Sequence, residues 1–99
     1  MTIALYAEFS ATPGNQGRVL TLLAGLSTAV RAEPGNIVFD PHLLPNDAGF
    51  YVYEVYQDAA AFREHLASAH CTAFNLAIEE LVDGGGSRLT MLTPIAAMA

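Results

Sequence analysis

Side chains alternate from Ile3 to Phe9: Ile3, Leu5, Ala7 and Phe9 fall on one side, Ala4, Tyr6 and Glu8 on the other. That is the period of a half-buried strand. Past the Ala11-Thr12-Pro13-Gly14-Asn15 punctuation, Val19, Leu22, Leu23, Leu26 and Val30 recur at helical spacing, with Arg18, Thr21, Ser27 and Arg31 between them. An amphipathic helix is predicted there. Glu33-Pro34-Gly35 ends it, because a residue before proline is driven out of the α region and glycine permits the reversal. Asn36 to Leu44 reads as a second strand, with Ile37 and Phe39 opposing Val38 and Asp40, and Pro41, which lacks a ladder donor, marks an edge or a bulge. A turn over residues 45–49 leads into a third strand, Phe50 to Gln57, pairing with the second as a hairpin. Phe50, Val52, Glu54 and Tyr56 share one face of it; Tyr51, Tyr53, Val55 and Gln57 share the other.

Asp58 is a good N-cap for a second helical region in which Phe62 and Leu66 lie four apart. Ser68 caps a restart, and Phe74, Ala77, Ile78, Leu81 and Val82 extend an apolar stripe until Gly84-Gly85-Gly86 terminates it. Arg88 to Thr93 forms a last strand. The order βαββαβ predicts an α+β, ferredoxin-like fold, one domain over residues 1–99, with helices on one face of an antiparallel sheet. The other face, bearing Tyr6, Tyr51, Tyr53 and Val55, is too apolar for water, and is expected to pack against the same face of a second copy as a homodimer. Composition agrees: 53% of residues are hydrophobic and 14% charged, where an average soluble chain carries about a quarter charged.

Charge then removes whole classes of partner. Ten acids against four arginines, with no lysine, give a net charge of −6, which repels nucleic acid and anionic membranes. No basic residue precedes Arg18, so a secretory leader is not expected, and the apolar run between Arg18 and Arg31 is too short to span a bilayer. The single Cys71 excludes an internal disulfide and favours a reducing, cytoplasmic setting. Dinucleotide, P-loop and nucleophile-elbow motifs are missing, and the triple glycine follows a helix, where a C-cap explains it. His65 and His70, five apart, would not share a face of a continuous helix, so neither a metal nor another cofactor is expected.

What remains is a carboxylate among apolar neighbours. If Glu54 faces the helices, its ionisation is costly unless a donor is supplied, and His65, His70 and Tyr56 are the candidates. A Glu–His contact would fix the imidazole tautomer and strengthen it as a base; alternatively, it would only tie the sheet to the second helix. His42 shares parity with Val38 and Asp40, away from the helices, unless a bulge at Pro41 flips the register.

Pro13-Gly14, Arg31-Ala32-Glu33-Pro34-Gly35-Asn36, Tyr53-Glu54-Val55-Tyr56, Phe62-Arg63-Glu64-His65-Leu66 and Ser68-Ala69-His70 together resemble the antibiotic biosynthesis monooxygenase family, across almost the whole chain. The resemblance implies a dimeric α+β barrel with a pocket between sheet and helices, and a site built from Tyr53, Glu54, Tyr56, His65, Ser68 and His70. It implies a cofactor-independent monooxygenase acting on a quinol, polyphenol or aromatic polyketide with molecular oxygen. The haem-degrading branch relies on a tryptophan and on an asparagine in the first strand; this chain has no tryptophan and residues 2–10 contain no asparagine, which disfavours that branch.

On the oxygenase reading, His65 or His70 is the base that forms a phenolate, Glu54 orients it, and Tyr56 donates to the oxyanion and stacks. Phe39, Phe50, Val52, Phe62 and Phe74 enclose the substrate, which leaves as a quinone with release of water. A small-metabolite isomerase would use the same groups without oxygen, and a binding dimer would turn nothing over.

Overall fold

The computed structural model describes residues 1–46 and 48–95. Strand β1 (Ile3–Ser10) leads into helix α1 (Gln16–Arg31), and β2 (Asn36–Leu43) and β3 (Gly49–Tyr56) form a hairpin. Helices α2 (Ala59–Ala67) and α3 (Ala69–Ile78) follow, then a one-turn helix at Asp83–Gly85 and β4 (Arg88–Leu92). The strands lie in the order β2-β3-β1-β4, every neighbouring pair antiparallel. This is the expected ferredoxin-like α+β architecture. None of the described helices is long and apolar enough to cross a membrane.

Alternation along β1 and β3 sorts their side chains as the pattern required. Leu5, Ala7 and Phe9 pack with Phe50, Val52 and Tyr56 beneath the helices, and Phe9 stacks on Phe50 with ring centroids 5.2 Å apart. Helix α1 contributes Val19, Leu23 and Val30 to this core. Its C-terminus is fastened to β2 by Arg31, whose guanidinium donates to the Phe39 carbonyl at 3.0 and 2.7 Å.

Three local expectations change. The bulge lies between Asn36 and Val38 rather than at Pro41, so Ile37 is the extra residue, turned out to solvent, while Phe39 alone points inward. Pro41 sits on an edge strand, and His42 stays opposite Tyr51 on the uncovered face. The second apolar stripe does not run as one helix to the glycines. Helix α3 stops at Ile78; Leu81 and Val82 are buried in the following turn, where Val82 bridges to Ala11. In α2 the expected Phe62–Leu66 stripe is rotated: Leu66 is exposed and His65 is the buried residue. A histidine therefore occupies the core position of this helix, and apolar patterning does not account for it.

Candidate active site

The site forms where three connections converge on the inner face of β3. Glu54 projects from β3 between Val52 and Tyr56, and 5% of it is exposed. Tyr56, fully buried, donates its hydroxyl to Glu54 Oε1 at 2.7 Å. His65 is brought in by α2, whose first turn is capped by Asp58 Oδ1 accepting from Ala61 N at 2.8 Å. Ser68, in extended conformation, breaks the helix, accepts from Cys71 N at 3.2 Å to cap α3, and donates to the His65 carbonyl at 2.6 Å. That break directs His70 back toward His65, with ring centroids 6.5 Å apart.

The residue that joins them is Glu33, which the sequence reading treats only as a helix terminator. Its Oε2 accepts from His65 Nδ1 at 2.9 Å and from His70 Nε2 at 2.6 Å. The α1–β2 turn can deliver this carboxylate because Gly35 has no side chain: a Cβ there would collide with that of Ala61, one helical turn before His65. Gln57 N donates to the Gly35 carbonyl at 2.8 Å and locks the approach. The sequence held one signal for this, a glycine after Glu33-Pro34, but the pairing spans 32 and 37 residues and no local pattern reports it.

Of the three partners expected for Glu54, one makes the hydrogen bond. Tyr56 holds it directly; His65 Nε2 lies 3.7 Å from Glu54 Oε1, an electrostatic contact rather than a hydrogen bond; His70 bonds Glu33 instead. Burial pushes the Glu54 carboxyl above its ordinary range, against the lowering effect of the Tyr56 hydrogen bond and the His65 ring, while Glu33 raises it further. Burial likewise pushes the Tyr56 hydroxyl far up, with the Glu54 charge adding to it. Tyr56 is a neutral donor already committed to Glu54, and so not the oxyanion donor the sequence suggested. Cys71, raised mainly by burial, stays a thiol.

A cavity of about 80 Å³ adjoins these groups, lined among others by Phe39, Val52, Glu54, Phe62, His65 and Phe74. Cys71 and Asn75 also line it, with His65 Nε2 4.0 Å from Cys71 Sγ and Asn75 Nδ2 3.8 Å from the same sulfur. Three expected members do not line it, Tyr56 among them, its hydroxyl spent on Glu54. Phe50 is spent on Phe9 and borders a separate open depression with Ser10 and Arg88, and His70 stands outside the cavity, beyond Glu33. The geometry therefore separates the imidazoles: the Nδ1 of His65 is held by a carboxylate while its Nε2 faces the cavity groups, and His70, 30% exposed, touches the same carboxylate from the solvent side. An imidazole oriented in this way can accept a proton at Nε2.

Comparison with known proteins gives the family and the fold. Residues 2–76 match the antibiotic biosynthesis monooxygenase family. The fold superposes on the structure of Rv0793 from Mycobacterium tuberculosis with a TM-score of 0.88 and 26% identity, covering 95% of both chains. It superposes on PA3566 from Pseudomonas aeruginosa with a TM-score of 0.86 and 26% identity over 94% of this chain and 93% of that one. SnoaB from Streptomyces nogalater, a cofactor-independent oxygenase, shares the fold at a TM-score of 0.80 and 18% identity, covering 94% and 92% of the two chains. No curated protein matched the chain in sequence.

Proposed function

The chain belongs to the antibiotic biosynthesis monooxygenase family, and from that premise we propose that it oxidises a single-ring quinol with molecular oxygen, without a cofactor. The observation that carries this reading is the Glu33–His65–Glu54 alignment at the edge of an apolar cavity. Cavity size narrows the substrate class. Sites for drug-sized ligands run to about 300–1,000 Å³ and a cavity of about 150 Å³ takes up benzene, so some 80 Å³ excludes a polycyclic polyketide and admits a single ring only as the wall gives way. Entry of the ring displaces Leu66, which is exposed at the cavity's edge.

His65 Nε2 takes the proton of a quinol hydroxyl, and the imidazolium so formed lies between Glu33 and Glu54. The phenolate gives one electron to triplet oxygen. The radical pair is retained by Phe39, Phe62 and Phe74 and combines at a ring carbon; loss of water then leaves a hydroxylated quinone. One oxygen atom enters the product and the other leaves as water, so no external reductant is needed. Asn75, at the cavity wall, is the available neutral donor to the developing oxyanion in place of Tyr56. The imidazolium returns the proton to the outer peroxide oxygen, which leaves as water, while Glu33 stays ionised and holds both rings.

The uncovered sheet face supplies the oligomer in this reading. Tyr6 and Tyr51 stack there at 4.8 Å, and Tyr53 and Val55 are half-buried without any helix over them. A second copy pairs through this face, and a buried free thiol at Cys71 suits a cytoplasmic setting. Replacing Tyr51 and Tyr53 by Asp should yield monomers in sedimentation; an unchanged dimer would move the interface elsewhere. For the reaction, labelled oxygen gas should deliver one atom to the quinone product of a one-ring quinol. Turnover of the same size under anaerobic conditions would replace this reading with proton-shuttling isomerisation.

A further inference from the structure

Two carboxylates and two imidazoles meet at this site with no arginine to balance them. Among the described residues, Glu33 and Glu54 have only His65 and His70 within ion-pair distance, while Arg31 and Arg88 pair with Asp40 and Glu8. The chain as a whole carries a net charge of −6, which concentrates cations around it. Either protons or a bound cation must supply positive charge here. The ligand geometry favours a metal: His65, His70 and Glu33 each offer one ligand atom, and these atoms lie within 4.8 Å of one another. Metal bonds of about 2.0–2.2 Å place tetrahedral ligands roughly 3.3 Å apart. Glu33 Oε2, now 2.9 and 2.6 Å from the two nitrogens, and the two rings need to adjust by about half an ångström or more to admit an ion of that size.

We propose that Glu33, His65 and His70 form a binding site for a divalent transition-metal ion of the zinc class, and that its occupancy silences the base. Two imidazoles and a carboxylate are borderline ligands that suit Zn²⁺ or Co²⁺ better than Mg²⁺ or Ca²⁺. Three protein ligands leave a fourth position, and His70, 30% exposed, provides the side from which ion and water arrive. The support behind the ligands is also in place. When the metal takes the Nδ1 of His65, the ring proton moves to Nε2, where Glu54 Oε1 stands 3.7 Å away and closes in as acceptor. That same tautomer change removes the Nε2 lone pair that the oxidation requires. The histidines were not expected to converge because their spacing was referred to one continuous helix; the extended Ser68 and a carboxylate from a third element bring them together.

The test is titration of tag-free protein with Co²⁺ and then Zn²⁺, following the visible absorption of four-coordinate cobalt and the heat of binding, with no substrate present. The expected result is one equivalent bound, displacement of cobalt by zinc, and at least a tenfold loss of affinity in both His70→Asn and Glu33→Gln. His42→Asn, which alters the histidine on the opposite sheet face, should bind as the parent does. His70 is partly exposed, so its variant should retain the parent circular dichroism. Absence of saturable binding, or equal affinity in the parent and both ligand variants, would overturn the site. Because binding is read without turnover, failure of the quinol reading leaves this result interpretable, and the reverse holds too.

Discussion

Strand β3 presents two faces that differ in one respect decisive for function. On the covered face, Phe50, Val52, Glu54 and Tyr56 are all buried, so a single carboxylate is surrounded by rings and methyls, with only a phenol and an imidazole to compensate it. On the open face, Tyr51, Tyr53 and Val55 are half-buried, and their neighbours across the sheet are Glu8, Tyr6 and Ala4. Polar atoms on the open face can be satisfied by water or by a second copy; those on the covered face can be satisfied only by one another. Chemistry concentrates where compensation is internal, and association where it is external.

Substitutions on the covered face should break that contrast most strongly at His65. Its replacement by Ala should lower quinol oxidation about 10²–10⁴-fold, the usual contribution of a general base, while Tyr51→Phe on the open face should leave the rate within about twofold. Oxygen uptake at saturating quinol is the measure. Glu33→Gln keeps the shape but weakens the hold on the His65 ring, and should cost more than about tenfold in turnover, since a carboxylate behind a general-base histidine fixes its tautomer and orientation. A larger loss of folding stability than of activity would make Glu33 a structural tie.

Gly35→Ala tests how the turn carries Glu33 to α2. A methyl group facing Ala61 Cβ has no room, so denaturant unfolding should show a loss of about 1–3 kcal/mol, with turnover reduced as well because the carboxylate is displaced. Glu54→Gln gives the smallest effect and the most diagnostic sign. Burial raises the folded-state pKa of Glu54 above the ordinary 4.5, so its contribution to stability is full below that pH and is lost as pH rises through the raised value. The parent should therefore lose stability on that ascent. The glutamine variant should lack the slope and be the more stable of the two near neutrality.

The fold was legible because each element obeys one period. Leu5, Ala7 and Phe9 alternate inward as read, α1 buries Val19, Leu23 and Val30, and the caps at Asp58 and Ser68 fall where the residue types put them. Readings failed where tertiary contacts override a period. The bulge at Ile37 separates two residues that the pattern paired, and α2 turns His65 inward in place of Leu66 because Glu33 and Glu54 offer it partners that a leucine could not use. Within the site, Glu54 beside Tyr56 was readable from strand parity alone. Glu33 was not, since its role depends on a turn packing against a helix that begins more than twenty residues later, and Phe50 was assigned to the cavity because parity fixes a face but not a position along it.

The reacting hydroxyl should meet the protein at one atom, His65 Nε2. A crystal structure of the protein grown with a single-ring quinol under strictly anaerobic conditions would show it directly. The ring should lie between Phe39 and Phe74, with one hydroxyl oxygen about 2.6–3.2 Å from His65 Nε2 and Glu33 still bonded to His65 Nδ1. A quinol lying on the tyrosine face of the sheet, or with its hydroxyls turned away from His65, would contradict it.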